Sequence, residues 1–300
     1  MALNELVPEP ARPISATATE VHTGPATDPL AWLATTPHTD ERWYWEVPED
    51  DTAWVGMGSA ATVSTSGPGR FDEAAREADQ LLSGLRVTGP PDAPLPRLAA
   101  GFAFDDTAQS GPWEPFGDGR LVLPAVQVLR RGGRTWVIRI DGHDRPTPVM
   151  VAPDPAGSIE VDAADWADEA SRAHYRHLVE LALEAIERGE LVKAVPCRSL
   201  RLERRPDVVR LLATLRSTYP ACATVGVSIG TTSFVAATPE RLVAVAGDRL
   251  HTAALAGSAP RHADPAIDAA LGQGLLTSPK ERSEHAVVVD AIDHALQRLG

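Results

Sequence analysis

The sequence predicts an α+β protein whose sheets are mainly antiparallel. Segments with the alternating pattern of strands are mixed along the chain with segments that have the helical period. Several predicted strands follow one another directly through short turns, such as Gly132-Gly133 and Gly247-Asp248, and such hairpins join antiparallel neighbours. The chain has 300 residues, of which 43% are hydrophobic, so it is long enough to bury a sizeable core.

Composition and charge exclude several classes of function. The 28 Lys and Arg against 41 Asp and Glu give a net charge of -13, which argues against nucleic acid or an anionic membrane as a partner. Two cysteines, Cys197 and Cys222, cannot form a disulfide framework and favour a reducing compartment. The sequence has neither a secretory signal nor an apolar run of about 18 residues. We therefore expect a cytoplasmic protein, and an anionic substrate would need a local source of attraction.

The first half of the chain is predicted to start with a loose lead-in over residues 1–40, which is rich in Pro, Thr and Ala. Residues 41–160 then alternate between strands and one helix, and the acidic turn Pro48-Glu49-Asp50-Asp51 joins the first two strands. The helix carries an alanine and leucine stripe and ends at Gly84. The predicted elements are the strands RWYWEV, TAWVGMG, GFAFD, LVLPAVQVLR and TWVIRI and the helix FDEAAREADQLLSGL.

The second half, residues 161–300, follows the Pro-rich connection HDRPTPVMVAPDPAG, which we predict as the boundary between the halves. A helix over residues 168–188 has one apolar stripe and stops at Gly189. Further helices are predicted to begin at Pro206, at Asp264-Pro265 and at Ser278-Pro279. The predicted strands of this half are LVKAVPCRSL, ATVGVSIG, SFVAAT, RLVAVAG and RLHTAAL.

A glycine motif after the second strand matches the form of a dinucleotide-binding turn. Residues Gly56 to Ala61 read GMGSAA, but the segment TVSTSGPG that follows is β-branched and rich in Gly and Pro. The motif needs a helix at this point, because the helix N-terminus holds the pyrophosphate. We therefore interpret the segment as a strand with a tight turn.

The last helix carries acidic residues on its apolar face. Ser278-Pro279-Lys280-Glu281 has the form of a capping box, and the apolar stripe passes through Glu281, Glu284 and His285 at helical spacing. Capping and dipole complementation would explain Glu281 alone. An unpaired inward carboxylate at Glu284 is costly, and two carboxylates one turn apart suit a divalent cation such as Mg2+. Both interpretations stay open from the pattern.

Three further positions have an ordinary and a chemical interpretation. Lys193 is either a solvated strand lysine or, because Leu191 and Val195 alternate with it, a desolvated lysine able to act as a base. Glu240 is either a turn residue paired with its neighbour or a functional acid. Gly257-Ser258 is either a loop or a pair of backbone N–H donors for an anion.

Taken together, these segments resemble the chorismate-utilising enzymes, specifically isochorismate synthases. The resemblance covers roughly residues 50–300 and rests on motifs that occur in the family's order. It implies two stacked, mainly antiparallel sheets flanked by helices, and Mg2+ bridging protein carboxylates and the ring carboxylate of chorismate. The segments that carry it most strongly are LVKAVPCRSL, AATPERLVAV, TAALAGSAPR and LLTSPKERSEHAVVVDAI.

The resemblance also implies a role for each candidate residue. Lys193 corresponds to the base that activates water for attack at C2, and Glu240 to the acid that protonates the departing C4 hydroxyl. A weak nucleophile and a poor leaving group make both a base and an acid necessary. The metal ligands would be Glu284, directly, and Glu281, directly or through water. Contacts to the substrate carboxylate would come from Gly257 and Ser258.

Two positions distinguish branches of the family. Anthranilate synthases typically have glutamine where this chain has Lys193, and aminodeoxychorismate synthases have a lysine where it has Ala256. Both differences favour water as the nucleophile. Salicylate synthases usually have threonine where Ser258 stands, which favours isochorismate as the product. We expect a monomer that supplies menaquinone or siderophore biosynthesis.

The chain also departs from the family. Family members continue for about a hundred residues beyond the position of Gly300, and the missing part would complete the sheet and the metal site. Glu281 stands where Asp is common. If Gly300 were the terminus, exposed sheet edges and weak catalysis would be expected, and a non-catalytic fragment or regulatory binding module is the competing hypothesis.

Overall fold

A computed structural model describes residues 14–22, 27–36, 40–106, 109–143, 168–200 and 206–298. The chain divides into two compact units. The first unit comprises residues 1–158 and 206–239, and the second comprises residues 159–205 and 240–300. Within the described ranges, no helix has the length and apolar character needed to cross a bilayer.

The first unit is built on two sheets, of eight and three strands. The strands of the larger sheet are β1 (Ser15–Val21), β2 (Arg42–Val47), β3 (Thr52–Met57), β5 (Arg86–Thr88), β8 (Val126–Arg131), β9 (Arg134–Ile140), β10 (Ala223–Ile229) and β11 (Thr232–Thr238). Their order is β11-β10-β2-β3-β8-β9-β1-β5, and every pairing is antiparallel except β1 with β5. The smaller sheet has β4 (Ala61–Thr65), β7 (Gly119–Leu123) and β6 (Ala99–Phe102), in that order.

Turn residues and one proline set the course of the chain between the sheets. Gly132 and Gly133 have φ values of 58° and 74°, which the tight β8–β9 hairpin requires. Pro124 lies between β7 and β8 and has no N–H to donate to a ladder. The segment LVLPAVQVLR, predicted as one strand, is therefore two strands in different sheets.

The alternation of β2 separates two buried cores. Tyr44 faces the helices α1 (Pro29–Thr35) and a later helix at Val208–Thr218, where Leu30 and Leu212 are fully buried. Trp43 faces the smaller sheet, and its cluster joins residues of both sheets, which therefore stack face to face. That cluster comprises Trp43, Trp54, Ala99, Val122 and Leu129. Helix α2 (Arg70–Ser83) packs against the smaller sheet through β4 and β7.

The second unit has helices at both ends and one small sheet. Its helices are α3 (Glu169–Glu187), α5 (Pro265–Thr277) and α6 (Pro279–Gln297), with α4 being Val208–Thr218 of the first unit. Strands β12 (Ala244–Ala246) and β13 (Arg249–His251) form the sheet. Asp168 caps α3 by accepting from two backbone N–H groups, and Gly189 ends it at a φ of 73°. None of the described residues of this unit is buried.

Several sequence predictions are wrong in the structure. Part of the lead-in is ordered, because β1 pairs with β9 and buries Ala16 and Ala18, and because Asp28 caps α1. The segment LVKAVPCRSL is not a strand, since it pairs with none of the described strands. RLVAVAG and RLHTAAL contain strands of only three residues each. The predicted boundary segment lies, except for His143, outside the described residues.

Other predictions are confirmed. The fold is α+β with stacked, mainly antiparallel sheets and flanking helices. No helix follows the GMGSAA motif, because Gly58 turns the chain at a φ of 63° into β4. The helices predicted at Asp264-Pro265 and Ser278-Pro279 begin there, each capped by the side chain before the proline.

Candidate active site

The start of α6 leaves one carboxylate available for other contacts. The Oγ of Ser278 accepts from the Glu281 N–H at 3.3 Å, as a capping box requires. The Ser278 N–H, however, donates to the Gly274 carbonyl at 3.0 Å, so it does not donate the reciprocal bond to the Glu281 side chain. The capping interpretation therefore accounts for Ser278 but not for the Glu281 carboxylate.

The Glu281 carboxylate lies against the loop that carries Gly257. Its Oε2 is 2.7 Å from the point that a Cβ on residue 257 would occupy, and Gly257 has a φ of +82°. Its Oε1 is 3.3 Å from Lys280 Nζ, and the side chain is 20% exposed. Glycine thus serves two purposes at position 257, because it permits the left-handed backbone and leaves room for the carboxylate.

A second contact joins two of the predicted site residues. Lys193 Nζ lies 3.1 Å from Glu284 Oε1, with side chains 26% and 36% exposed. The expectation that Lys193 shares a buried strand face is wrong, because Leu191 is 43% exposed and Val195 is 74% exposed. The half-buried ion pair, rather than an apolar strand face, positions the lysine.

A histidine of α6 connects the helix to the same loop. The Nε2 of His285 lies 3.2 Å from the carbonyl oxygen of Ala254, three residues before Gly257. The sequence pattern placed His285 on the stripe with Glu281 and Glu284 but gave it no contact. Together, His285 and Glu281 hold residues 254–257 against the first turns of α6.

The remaining two candidates lie at the surface. Glu240 follows β11 and is exposed, and Ser258 is exposed beside Gly257. The two contacts that join Lys193 to Glu284 and Gly257 to Glu281 include neither of them. Four of the six predicted residues thus form two pairs, Lys193 with Glu284 and Gly257 with Glu281. In each pair the carboxylate belongs to α6.

The donors on α6 fit a magnesium ion. No group of three or more His, Cys, Asp or Glu side chains suited to a metal occurs in the part of the chain that the structure describes. Mg2+ needs no such cage, because it is usually held by one or two carboxylates together with water and substrate oxygens. Glu281 and Glu284 provide two hard oxygen donors one turn apart, and this is the donor set that Mg2+ prefers.

A cavity that the sequence did not predict lies in the first unit. It has a volume of about 610 Å³ and lies between the two stacked sheets. The pattern RWYWEV contained the signal, since alternation puts Trp43 and Trp45 on one face of β2.

The sheets and the motif-bearing second unit define a chorismate-binding enzyme. Residues 10–300 match the family described as "Chorismate binding enzyme", so the chain belongs to that family. The resemblance predicted from the motifs is thereby confirmed.

Two curated relatives are isochorismate synthases. The chain is 31% identical over 278 residues to the salicylate biosynthesis isochorismate synthase of Pseudomonas aeruginosa, covering 85% of this chain and 56% of that protein. It is 25% identical over 303 residues to isochorismate synthase MenF of Bacillus subtilis, covering 89% of this chain and 62% of that protein. The chain therefore spans less than two thirds of the length of these relatives.

A solved structure shows the same fold. MenF, the menaquinone-specific isochorismate synthase from Escherichia coli, superposes with a TM-score of 0.68 at 23% identity, covering 95% of this chain and 64% of that one.

Anthranilate synthase component 1 of Haloferax volcanii is 35% identical over 132 residues, which cover 44% of this chain and 25% of that protein.

Proposed function

We propose that the protein is an isochorismate synthase, which adds water at C2 of chorismate and releases the C4 hydroxyl. The observation that carries the proposal is the Lys193–Glu284 ion pair, which joins two of the four motif segments at one place. The names of the two curated relatives support it. We further propose that the protein is a cytoplasmic monomer and supplies menaquinone or siderophore biosynthesis.

The reaction balances with water entering and water leaving. A C2–O bond forms as the attacking water gives a proton to the Lys193 amine, both ring double bonds shift by one position, and the C4–O bond breaks. Glu240 gives a proton to the departing hydroxyl, which leaves as water. A base and an acid are both needed, because water is a weak nucleophile and hydroxide a poor leaving group.

The carboxylates have a different task from the base. Glu284 and Glu281 would hold Mg2+, which supplies positive charge to bind and orient the ring carboxylate. Gly257 and Ser258 would add backbone and hydroxyl donors from the loop that packs on Glu281. This arrangement explains how a protein with a net charge of -13 could attract a dicarboxylate, since the bound cation reverses the local field.

Salicylate synthesis is the second candidate, because it begins with the same water addition. Lys193 and Ala256 favour water over ammonia or an enzyme amine as nucleophile. Ser258, where salicylate synthases usually have threonine, favours release of isochorismate. If salicylate and pyruvate were the main products, the protein would be assigned to the salicylate synthases.

The test is turnover of chorismate with Mg2+, with the products separated by chromatography. Lys193→Ala is expected to lose water addition, by at least about a hundredfold for loss of a general base. Lys193→Arg keeps the cation beside Glu284 but cannot accept a proton near neutral pH, so it should be equally inactive. Chorismate turnover by the arginine variant would show that Lys193 is not the general base.

The metal ligand is tested separately. Glu284→Gln should raise the Mg2+ concentration needed for half-maximal rate by about ten- to a hundredfold, since a neutral amide replaces a charged ligand. Asp290→Asn, at an exposed acid on the same helix, is the matched control and should leave that concentration unchanged. Equal effects of the two substitutions would contradict the assignment.

A further inference from the structure

The loop between β13 and α5 carries two of the proposed substrate contacts. It covers residues 252–263, contains neither helix nor strand, and includes Gly257 and Ser258. Because such a segment has no hydrogen-bonded ladder of its own, contacts from its neighbours fix its backbone. These contacts therefore decide how accurately the 252–263 loop presents the two residues to a substrate.

Contacts to neighbouring segments fix both ends of the 252–263 loop. At its start, the hydroxyl of Thr252 donates to the Leu242 carbonyl at 2.8 Å. At its end, Arg261 forms a two-bond ion pair with Asp268 of α5 at 2.8 and 2.9 Å. The His262 N–H donates to the same carboxylate at 3.0 Å. The proposed substrate contacts lie between these ends, in the middle of the loop.

Helix α6 holds the middle of the loop through His285. The ring Nε2 lies 3.2 Å from the carbonyl oxygen of Ala254, and Nε2 carries the proton because a carbonyl oxygen only accepts. His285 stands one helical turn after Glu281, so the imidazole and the carboxylate lie on the same side of α6 and both contact the loop. The proposed function assigns the carboxylate to Mg2+, whereas the imidazole can hold the loop whether or not metal is bound.

The histidine is not needed to build the helix that carries it. The side chain of Ser278 caps α6, which begins at Pro279, six residues before His285. The His285 side chain is itself exposed, and substitutions at exposed positions usually change stability little. The bond to Ala254 therefore contributes to the position of the loop more than to the stability of the fold.

We propose that His285 is a positioning residue for chorismate binding, which holds the loop so that Gly257 and Ser258 meet the ring carboxylate. The inference rests on the proposed function. Loss of the hydrogen bond frees the middle of the loop, whereas Lys193 and the metal ligands keep their places. A substitution should therefore raise the KM for chorismate and leave kcat and the Mg2+ requirement nearly unchanged.

The first experiment measures turnover against chorismate concentration at saturating Mg2+. His285→Ala should raise KM about three- to tenfold, the range for loss of one hydrogen bond, with kcat within about twofold of the wild type. His285→Gln should restore most of the wild-type KM, because its amide nitrogen donates from a position similar to that of Nε2. His294→Ala, at an exposed histidine in the last turn of α6, is the control and should change neither constant.

The second experiment detects the loop contact without chorismate. Chymotrypsin cleaves after leucine, and Leu255 is 46% exposed and directly follows Ala254. Because cleavage requires local opening of the chain, His285→Ala should raise the rate of this cut about three- to tenfold, measured by mass spectrometry of the fragments. His285→Gln and His294→Ala should be cut at the wild-type rate.

Two results would overturn the proposal. An unchanged rate of cleavage after Leu255 in His285→Ala would show that the imidazole does not hold the loop. Faster cleavage with an unchanged KM, or with a loss of kcat in place of a rise in KM, would show that the contact does not serve substrate binding.

The two experiments also separate this proposal from the proposed function. Absence of turnover in the wild type would overturn the proposed function and with it the substrate role, whereas the cleavage rates would still decide the loop contact. If His285→Ala fails to fold, which faster cuts throughout the chain would show, His285→Asn replaces it. The shorter amide of asparagine does not reach Ala254, so the same rise in KM and in cleavage after Leu255 is expected.

Discussion

The two units of this chain separate burial from chemistry. The first unit contains all of the buried hydrophobic side chains among the described residues, in clusters on both faces of the larger sheet. The second unit holds every candidate catalytic residue and none of its described residues is buried. The difference teaches that a polar site needs positioned side chains, and that here ion pairs and loop contacts position them instead of a closed core.

Two helices with similar apolar stripes illustrate the difference. In α4, Leu212 is fully buried against Tyr44 and the backbone of Gly226. In α3, Leu183 is 55% exposed and Ile186 is 38% exposed. Periodicity identifies the apolar face of a helix, but only the neighbouring elements decide whether that face is buried.

Truncation of matched leucines should give the largest contrast. Leu212→Ala should lower the free energy of unfolding by about 2–5 kcal/mol, because it leaves a cavity in a packed core. Leu183→Ala should change it by less than about 1 kcal/mol, since the side chain is already exposed. Urea unfolding followed by tryptophan fluorescence measures both values. Similar losses at the two positions would contradict the division into a buried and an exposed unit.

Matched glycine substitutions should affect different properties. A Cβ at residue 56 would meet the ring of Pro124 at 2.5 Å, so Gly56→Ala should cost about 1–3 kcal/mol of stability. At residue 257 the nearest atom is the end of the Glu281 side chain, which can move. Gly257→Ala should therefore displace that carboxylate and lower chorismate turnover, and the left-handed backbone at φ +82° should cost about 1–2 kcal/mol of stability.

Measuring urea midpoints and turnover for both glycine variants checks this prediction. A large stability loss in Gly257→Ala with normal turnover would mean that the loop contact is structural only.

The buried polar cluster of the first unit predicts a loss of stability at high pH. Burial, together with the Glu46 carboxylate that accepts its hydrogen bond, raises the pKa of Tyr44 well above its usual range. Above pH about 10 the unfolded chain loses the phenolic proton and the folded chain keeps it, so stability falls by up to about 1.4 kcal/mol per pH unit.

Urea unfolding at pH about 9 to 11 measures this slope. Tyr44→Phe should have a flatter pH dependence than the wild type over this range, because phenylalanine has no proton to lose. Tyr175→Phe, on α3 of the second unit, serves as the control. Parallel curves for the wild type and Tyr44→Phe would contradict the role of the buried phenol.

The smallest expected effect is the stability contributed by the site's ion pair. Lys193 and Glu284 are both partly exposed, so Glu284→Gln should change the unfolding free energy by less than about 1 kcal/mol. Turnover of chorismate should nevertheless fall strongly. A stability loss well above that limit would show that the pair is a structural support of the second unit.

The fold was predictable where local chemistry decides it. Glycines mark the β8–β9 hairpin, and prolines after Asp264 and Ser278 mark two helix starts, because these residues restrict the backbone directly. The ordered lead-in was missed because its strand depends on pairing with β9, far along the chain. The strand predicted around Lys193 was wrong for the same reason, since strand formation needs a partner that the pattern does not show.

For the candidate site, the motifs suggested residues but not their contacts. They pointed to Lys193, Glu281, Glu284 and Gly257 as candidates, but not to which lysine and carboxylate would pair. The cavity of the first unit was missed because it arises from the spacing of two sheets, which no single segment encodes.

The most direct test of the account is the source of the new oxygen in the product. Chorismate and Mg2+ are incubated with the protein in water labelled with heavy oxygen, and the products are analysed by mass spectrometry. The wild type is expected to form isochorismate that carries one labelled oxygen at C2, and Lys193→Ala is expected to form none. Unlabelled product, or labelled isochorismate formed equally well by the variant, would contradict it.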